Sequence, residues 1–209
     1  EDGAAAAVCS RWAEGWKATS EGRRRLRKVA FDFPHRDLLG SHSFDMAVIP
    51  GDDARLVVKS GSLVHILRHD MSVVSSFETP SFGGVAASEE FLYKNDANTE
   101  VVCLTHDGTE VAKYQDPDMH IDSPVLGPGG LLFCLLYDDH GIEDDEIVAL
   151  DAQTLQPRHR FGLSLLNGAV GMAVVGEELF VCDTGNDRLQ VFSLAGEHRR
   201  SITGEWKRP

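Results

Sequence analysis

Apolar and polar positions are arranged in two different ways along the chain. Near the start, Val8, Trp12 and Trp16 recur at a spacing of four within a stretch that lacks proline, which predicts an amphipathic helix. Further on, runs of four to eight residues rich in Val, Leu, Ile and Phe alternate with clusters of Gly, Asp, Asn and Ser. That alternation is typical of short antiparallel strands. The pattern therefore predicts a helical segment over residues 1–38 and an all-β domain over residues 39–209.

The strand-rich part consists of a repeated unit. Four segments share the same order of four short apolar strands separated by polar or glycine-containing turns, and they cover residues 45–79, 84–116, 123–163 and 171–204. A four-stranded unit that recurs about every 40 to 45 residues is the signature of a β-propeller blade. The sequence thus predicts about four propeller blades. A β-sandwich with evenly spaced hairpins is the alternative.

The last of these segments carries a recognisable motif. An apolar strand ends at Asp183, a turn containing Gly185 and Asn186 follows, and Arg188 opens the next apolar strand. The segment resembles an NHL repeat, whereas the three upstream segments match mainly in period and strand order. The resemblance implies a propeller of about six blades. This chain would then be a fragment that contains about four of them.

The four motif residues are expected to form a structural clamp rather than a catalytic site. Asp183 can accept hydrogen bonds from the backbone N–H groups of the following turn. Gly185 and Asn186 tolerate left-handed backbone angles, and Arg188 can pair with a carboxylate. We therefore expect these residues to identify a scaffold.

The N-terminal segment carries a second resemblance. Residues 8–31 are similar to the latter half of an F-box, and the matching positions are Val8, Cys9, Arg11, Trp12, Leu26 and Val29. The Leu-Pro segment that opens an F-box is absent. The resemblance implies a role as a substrate receptor of a ubiquitin ligase. A helix that caps the first blade is the alternative.

The acidic residues are concentrated in the strand-rich part of the chain. The chain has 20 basic and 33 acidic residues, a net charge of -13, and residues 1–38 hold eight of the basic and six of the acidic ones. An acidic body repels phosphate backbones, so nucleic-acid binding is disfavoured.

Apolar runs and cysteines bear on the cellular setting. No apolar run approaches the ~20 residues of a membrane span, and the acidic start does not fit a signal peptide. The four cysteines lie far apart, and Cys103, Cys134 and Cys182 fall in apolar runs, which predicts reduced, buried thiols. We expect an intracellular, cytoplasmic protein that does not bind membranes.

Motifs for nucleotide binding, serine hydrolysis or zinc proteolysis do not occur in the sequence. The densest polar constellation runs from Tyr137 to Glu146 and could offer oxygen ligands to Ca²⁺, but EF-hand spacing is missing. A solvated hairpin is the simpler interpretation. No cofactor and no bound metal are therefore expected.

Propellers bind at the end where the loops between second and third strands meet the connectors between blades. Such loops commonly carry function on a rigid scaffold, and their acidic residues favour a basic protein partner. The predicted binding residues are Asp96, Asn98, Asp116, His120, Asp138, Asp139, His140, Asp144, Asp145 and Arg188.

The alternative class is enzymatic. NHL-like and gluconolactonase-like propellers include lyases and hydrolases that hold Ca²⁺ or Zn²⁺ near the channel. Such a site needs polar ligands on several first strands, and here only Asp45 and Asp122 are nearby carboxylates. The sequence therefore favours a non-enzymatic protein-interaction module.

Overall fold

The computed structural model describes residues 44–60, 62–79, 83–96, 99–138 and 145–204. These residues form sixteen strands in four antiparallel sheets, each of four strands. The helical segment predicted over residues 1–38 lies outside the described residues.

Each sheet is one blade made of four strands that are consecutive in the chain. The first blade contains β1 (Phe44–Ile49), β2 (Arg55–Ser60), β3 (Leu63–Leu67) and β4 (Val73–Glu78). The second contains β5 (Val85–Ala87), β6 (Phe91–Asp96), β7 (Glu100–Thr105) and β8 (Glu110–Gln115). The third contains β9 (His120–Gly127), β10 (Leu131–Tyr137), β11 (Asp145–Asp151) and β12 (Pro157–Leu166). The fourth contains β13 (Ala169–Val175), β14 (Glu178–Asp183), β15 (Arg188–Ser193) and β16 (His198–Thr203).

The predicted blade boundaries agree with these strands to within three residues. The largest differences are at the third blade, which begins at His120 instead of Ser123 and ends at Leu166 instead of residue 163. The strand begins early because Ile121 is fully buried and pairs with Leu136. Burial of Ile121 thus extends the strand back to His120. The acidic sequence pattern had suggested that residues 120–122 belong to the connector between blades.

Successive blades adjoin through their first strands. Strand β1 contacts β5, β5 contacts β9, and β9 contacts β13. Small residues allow this close approach, because a Cβ atom on Gly84 would lie only 2.9 Å from Cδ of Pro124 on the third blade. The first strand is therefore the innermost strand of each blade, as in a β-propeller.

Apolar side chains fill the space between neighbouring blades in three separate layers. Successive residues of one strand contribute to two different layers, because their side chains point to opposite faces of the sheet. On β10, Cys134 packs towards the second blade and Phe133 towards the fourth. The layers are represented by Val57, Ile66, Leu92 and Val102; by Tyr93, Cys103, Leu132 and Val148; and by Phe133, Ile147, Val181 and Phe192.

Two of the predicted core thiols are confirmed as buried and free of disulfides. Cys103 and Cys134 are both fully buried, whereas Cys182 is free but only half-buried. Burial raises the pKa of the Cys103 thiol to about 11, because the apolar surroundings disfavour the thiolate. These thiols act as small apolar side chains within the blade interfaces.

The described part of the chain contains no helix that is long and apolar enough to cross a membrane. It forms four blades in a β-propeller arrangement, as the repeat predicts. The total of about six blades stays a prediction.

Candidate functional site

The blades have two ends with different loops. The upper end, as named here, carries the turns from second to third strands and the connectors between blades. The lower end carries the turns from first to second strands and from third to fourth strands. The binding residues predicted from the sequence belong to the upper end.

Asp183 is fully buried at the upper end of β14 and accepts hydrogen bonds from four groups. The backbone N–H of Asn167, in the connector before the fourth blade, donates at 2.8 Å. Side chains of Asn186, Arg188 and Gln190 donate at 2.9, 2.7 and 3.3 Å. The carboxylate therefore ties the connector to the turn that follows β14.

Arg188 and Gln190 extend this clamp to the third blade. Both side chains donate to the carbonyl oxygen of Leu165 near the end of β12, at 2.9 and 3.2 Å. The side-chain oxygen of Gln190 accepts a 2.7 Å hydrogen bond from Ser201, and it lies 2.9 Å from Nε2 of His198. The motif thus links two blades as well as the strands of one blade.

Two details of the predicted motif are wrong. The left-handed residue is Asp187, with φ of 49°, and not Gly185 or Asn186. Glycine is needed at 185 because a Cβ atom there would lie 2.5 Å from the carbonyl oxygen of Asn167, to which the Gly185 N–H donates at 2.8 Å. Asp183 accepts the N–H of Asn167 instead of the N–H groups of its own turn, because the connector passes directly over it.

A second clamp at the upper end contains Asp116, one of the predicted binding residues. Asp116 is buried in the connector between the second and third blades, and it accepts hydrogen bonds from Arg160 and from the hydroxyl of Tyr114. Arg160 belongs to the outermost strand of the third blade, and its other nitrogen lies 3.8 Å from Glu146. Burial and the Asp116 carboxylate raise the pKa of Tyr114, so its hydroxyl stays protonated. Asp116 therefore joins two blades.

Asp145 and Asp45 perform a similar structural role. Asp145 accepts the backbone N–H of Ala169 at the start of the fourth blade, at 2.6 Å. Asp45 on β1 accepts the N–H of Val85 at the start of the second blade, also at 2.6 Å. A carboxylate on one blade thus fixes the first residue of a neighbouring first strand. Charge-assisted hydrogen bonds of this kind are the stronger ones in proteins.

The remaining predicted residues are only partly described. His120 is the first residue of β9 and not a loop residue, and its ring stacks on Tyr137 at 5.4 Å. Asp96 ends β6 and pairs with Lys94 at 3.1 Å, and Asp138 is half-buried after β10. Asn98, Asp139, His140 and Asp144 lie outside the described residues. A binding role for Asp139, His140 and Asp144 in the acidic hairpin therefore stays a prediction.

Two buried lysines at the upper end of the first two blades are missing from the sequence prediction. Lys59 and Lys94 are each 3% exposed, and they share sheet faces with Val64 and Val102 of the first apolar layer. Burial lowers the pKa of Lys59, and the charge of Lys94 lowers it further, against the opposing effect of Asp45 and Asp96. A lysine inside an apolar strand, as in LVVKS and LYKND, is the signal that could have identified this charged cluster.

The lower end contains an open cleft of about 700 Å³ that spans three blades. Pro50 of the first blade, the β5–β6 turn, the β9–β10 turn and the β11–β12 turn surround it. Its polar lining residues are Ser88, Glu89, Glu90, Tyr93, Asp151 and Gln153, and the apolar ones include Ala87, Phe91, Leu126 and Ala152. Volumes of about 300 to 1,000 Å³ are usual for ligand pockets. This cleft was not predicted, because two adjacent glutamates in a short turn form no recognisable motif.

Among the described residues, no three His, Cys, Asp or Glu side chains lie close enough together to hold a metal ion.

Comparison with known proteins supports the fold. No protein-family model matches the sequence, and no curated protein is significantly similar to it. Among solved structures, the chain is similar to BamB from Moraxella catarrhalis, with 16% sequence identity and a TM-score of 0.55. The match covers 78% of this chain and 54% of that one, so the chain spans about half the length of the structure it matches. At this identity the likeness shows the β-propeller fold alone.

Proposed function

We propose that the chain is a non-enzymatic protein-interaction module in which one end of the propeller recruits a protein partner. The observation that carries this proposal is the lower-end cleft, where turns from three rigid blades converge around exposed polar groups. Loops held by a rigid scaffold are the usual carriers of binding function.

The buried and the exposed acidic residues have different roles, and this difference supports the lower end as the binding surface. Asp116, Asp145 and Asp183 are engaged in clamps between blades and their carboxylates are directed into the protein. Glu89 and Glu90, in contrast, are exposed at the edge of the lower-end cleft. We therefore place the partner at the lower end. The upper surface that includes Asp96 and Asp138 remains a second candidate.

Photo-crosslinking in cells tests the proposal. A photoreactive amino acid is placed at Gln153 beside the cleft, at Asp187 on the upper end, or at Val111 on the outermost strand β8, which is 49% exposed. We expect a discrete crosslinked protein from Gln153 and none from Val111. Failure of both ends to give any discrete product would contradict the proposal.

A role as substrate receptor of a ubiquitin ligase is a finer proposal. It is supported by the resemblance of residues 8–31 to part of an F-box and of residues 171–204 to an NHL repeat. The test is co-precipitation of ubiquitin-ligase subunits with the full chain, compared with Trp12→Ala. We expect Trp12→Ala to abolish recovery of the ligase subunits without affecting crosslinking from Gln153. Equal recovery with both chains, or recovery with neither, would contradict the ligase role.

A further inference from the structure

We propose that the lower-end cleft binds a basic side chain, arginine or lysine, presented by the protein partner. This inference rests on the proposed function and adds the chemistry by which the partner is recognised.

Negative charge at the cleft is the first observation. Glu89 and Glu90 follow each other in the β5–β6 turn, and both side chains are exposed. Within the described part of the chain, neither glutamate forms an ion pair with a basic residue. Asp151, on the opposite side of the cleft, is paired with Arg158 at 2.6 Å. Two carboxylates thus remain available to a cation from outside.

The basic residue next to Asp151, Arg158, does not cancel this charge. Arg158 is engaged with Asp151, which also accepts hydrogen bonds from the backbone N–H groups of Gln153 and Thr154. Burial lowers the pKa of His106, and the nearby charge of Arg55 lowers it further. His106 therefore favours its neutral form at neutral pH.

Aromatic rings supply the second observation. Phe91 is half-buried and lines the cleft, whereas Tyr93 is 2% exposed and belongs to the apolar layer between the second and third blades. Ring faces attract cations, and arginine makes such contacts more often than lysine does. A cleft lined by carboxylates, by Phe91 and by apolar side chains matches a guanidinium head on an apolar stem.

The turns around the cleft are held by hydrogen bonds before any ligand binds. Ser88 Oγ accepts the N–H groups of Glu90 and Phe91 at 3.3 and 2.9 Å, and the Ser88 N–H donates to the carbonyl of Phe91 at 2.8 Å. On the other side, the Ala152 N–H donates to the carbonyl of Gly130 at 2.8 Å. A site with fixed walls loses little conformational entropy when it binds.

Space for a side chain is present beside the β9–β10 turn. Gly129 and Gly130 both have positive φ, and a Cβ atom added to either would have no neighbour within 4 Å. The backbone of this turn is therefore open to an approaching group. Its amide signals should report binding.

Nuclear magnetic resonance titration of the 209-residue chain tests the inference. The probe is the peptide acetyl-Gly-Arg-Gly-amide, compared with a peptide in which neutral citrulline replaces arginine. Backbone amide shifts of Ser88, Gly129, Gly130 and Gln153 are followed in the unmodified chain and in Glu89→Gln/Glu90→Gln. Glu177→Gln is the matched control, because Glu177 occupies the corresponding first-to-second-strand turn of the fourth blade and is exposed.

We expect saturable shifts confined to the cleft with the arginine peptide. The dissociation constant should rise about tenfold in Glu89→Gln/Glu90→Gln and for the citrulline peptide, because a charge-assisted contact is lost. Glu177→Gln should bind as the unmodified chain does. Equal binding of the two peptides, shifts confined to the upper end, or unchanged affinity of the double variant would overturn the inference.

Failure of the inference can be told apart from failure of the proposed function. If Gln153 still crosslinks to its partner in Glu89→Gln/Glu90→Gln, the module binds a protein but recognises it without a basic side chain. If no partner is crosslinked in either chain, the proposed function itself is wrong.

Discussion

At the scale of single residues, the acidic side chains of this protein have two separate uses. Asp183 is fully buried and accepts four hydrogen bonds, whereas Glu89 is exposed beside an open cleft. A buried carboxylate is stable only when its hydrogen-bonding capacity is satisfied. The first kind of acid therefore supports folding, and the second is free to meet a ligand.

Replacement of Asp183 by alanine should be strongly destabilising. The substitution leaves the N–H of Asn167 without its acceptor and removes the carboxylate that binds Asn186, Arg188 and Gln190. Because a buried donor without an acceptor costs about 1–3 kcal/mol and several hydrogen bonds are lost together, the free energy of unfolding should fall by about 2–4 kcal/mol. Urea denaturation measures the change. Glu177→Ala in the same blade, where the side chain is exposed, should change stability by less than about 0.5 kcal/mol. Similar losses for the two variants would contradict the clamp.

The pKa of Lys59 predicts a pH dependence of stability. Because this pKa is lowered in the folded protein, the unfolded chain binds more protons than the folded one between the folded pKa and the usual value of 10.5. The contribution of Lys59 to the free energy of unfolding therefore rises with pH between its folded pKa and its usual pKa. Lys59→Met removes the titration, so the free energy of unfolding of the unmodified chain relative to Lys59→Met should increase from about pH 8 to about pH 10.

Urea denaturation at the two pH values compares these chains. Lys113→Met serves as the control, because Lys113 is an exposed lysine on β8. A difference between the unmodified chain and Lys59→Met that stays constant or decreases with pH would show that the pKa of Lys59 is not lowered.

At the scale of strands and blades, the repeat in the sequence is sufficient to predict the architecture. Period and strand order identify four blades, and each predicted boundary lies within three residues of the observed strands. The roles of single acids could not be predicted in the same way. Asp116 pairs with Arg160, which is 44 residues away, and Asp145 pairs with Ala169, which is 24 residues away. The local sequence pattern does not indicate which distant residue an acid will contact. Acidic residues that tie two blades together therefore look, in the sequence alone, like residues of a binding surface.

The clamp between the second and third blades can be measured with a double-mutant cycle. Arg160 is 40% exposed while Asp116 is 1% exposed, so the arginine is partly hydrated and its pair is weaker than a fully buried one. Asp116→Ala and Arg160→Ala together should show a coupling energy of about 1–3 kcal/mol in chemical denaturation. Coupling near zero would mean that the two blades are held by apolar packing alone. The pair Arg199 and Glu197, both exposed on the fourth blade, should couple by less than about 1 kcal/mol.

At the scale of the whole molecule, the described chain is a series of blades in which each sheet contacts its neighbours in order. Stability in such arrays is approximately a sum of contributions from each repeat and from each interface. The cleft, which the sequence did not reveal, belongs to this scale. Its walls come from three blades, and no single segment contains a motif for it.

The substitution Phe133→Ala tests whether loss of packing between two blades also destabilises the other blades. Phe133 is fully buried in the layer between the third and fourth blades, and its removal should cost about 3–5 kcal/mol. Hydrogen–deuterium exchange should therefore become faster in the third and fourth blades, with a smaller effect in the first. Uniform acceleration across all four blades would instead indicate a single cooperative unit.

We propose that one end of the propeller, and not its outer strands, meets a protein partner. Hydrogen–deuterium exchange of the chain, with and without the partner recovered by crosslinking from Gln153, tests this proposal. We expect protection at residues 88–90, 127–130 and 151–153, with no change in β8 and β12. Protection confined to β8 or β12, with unchanged exchange at the cleft, would contradict it.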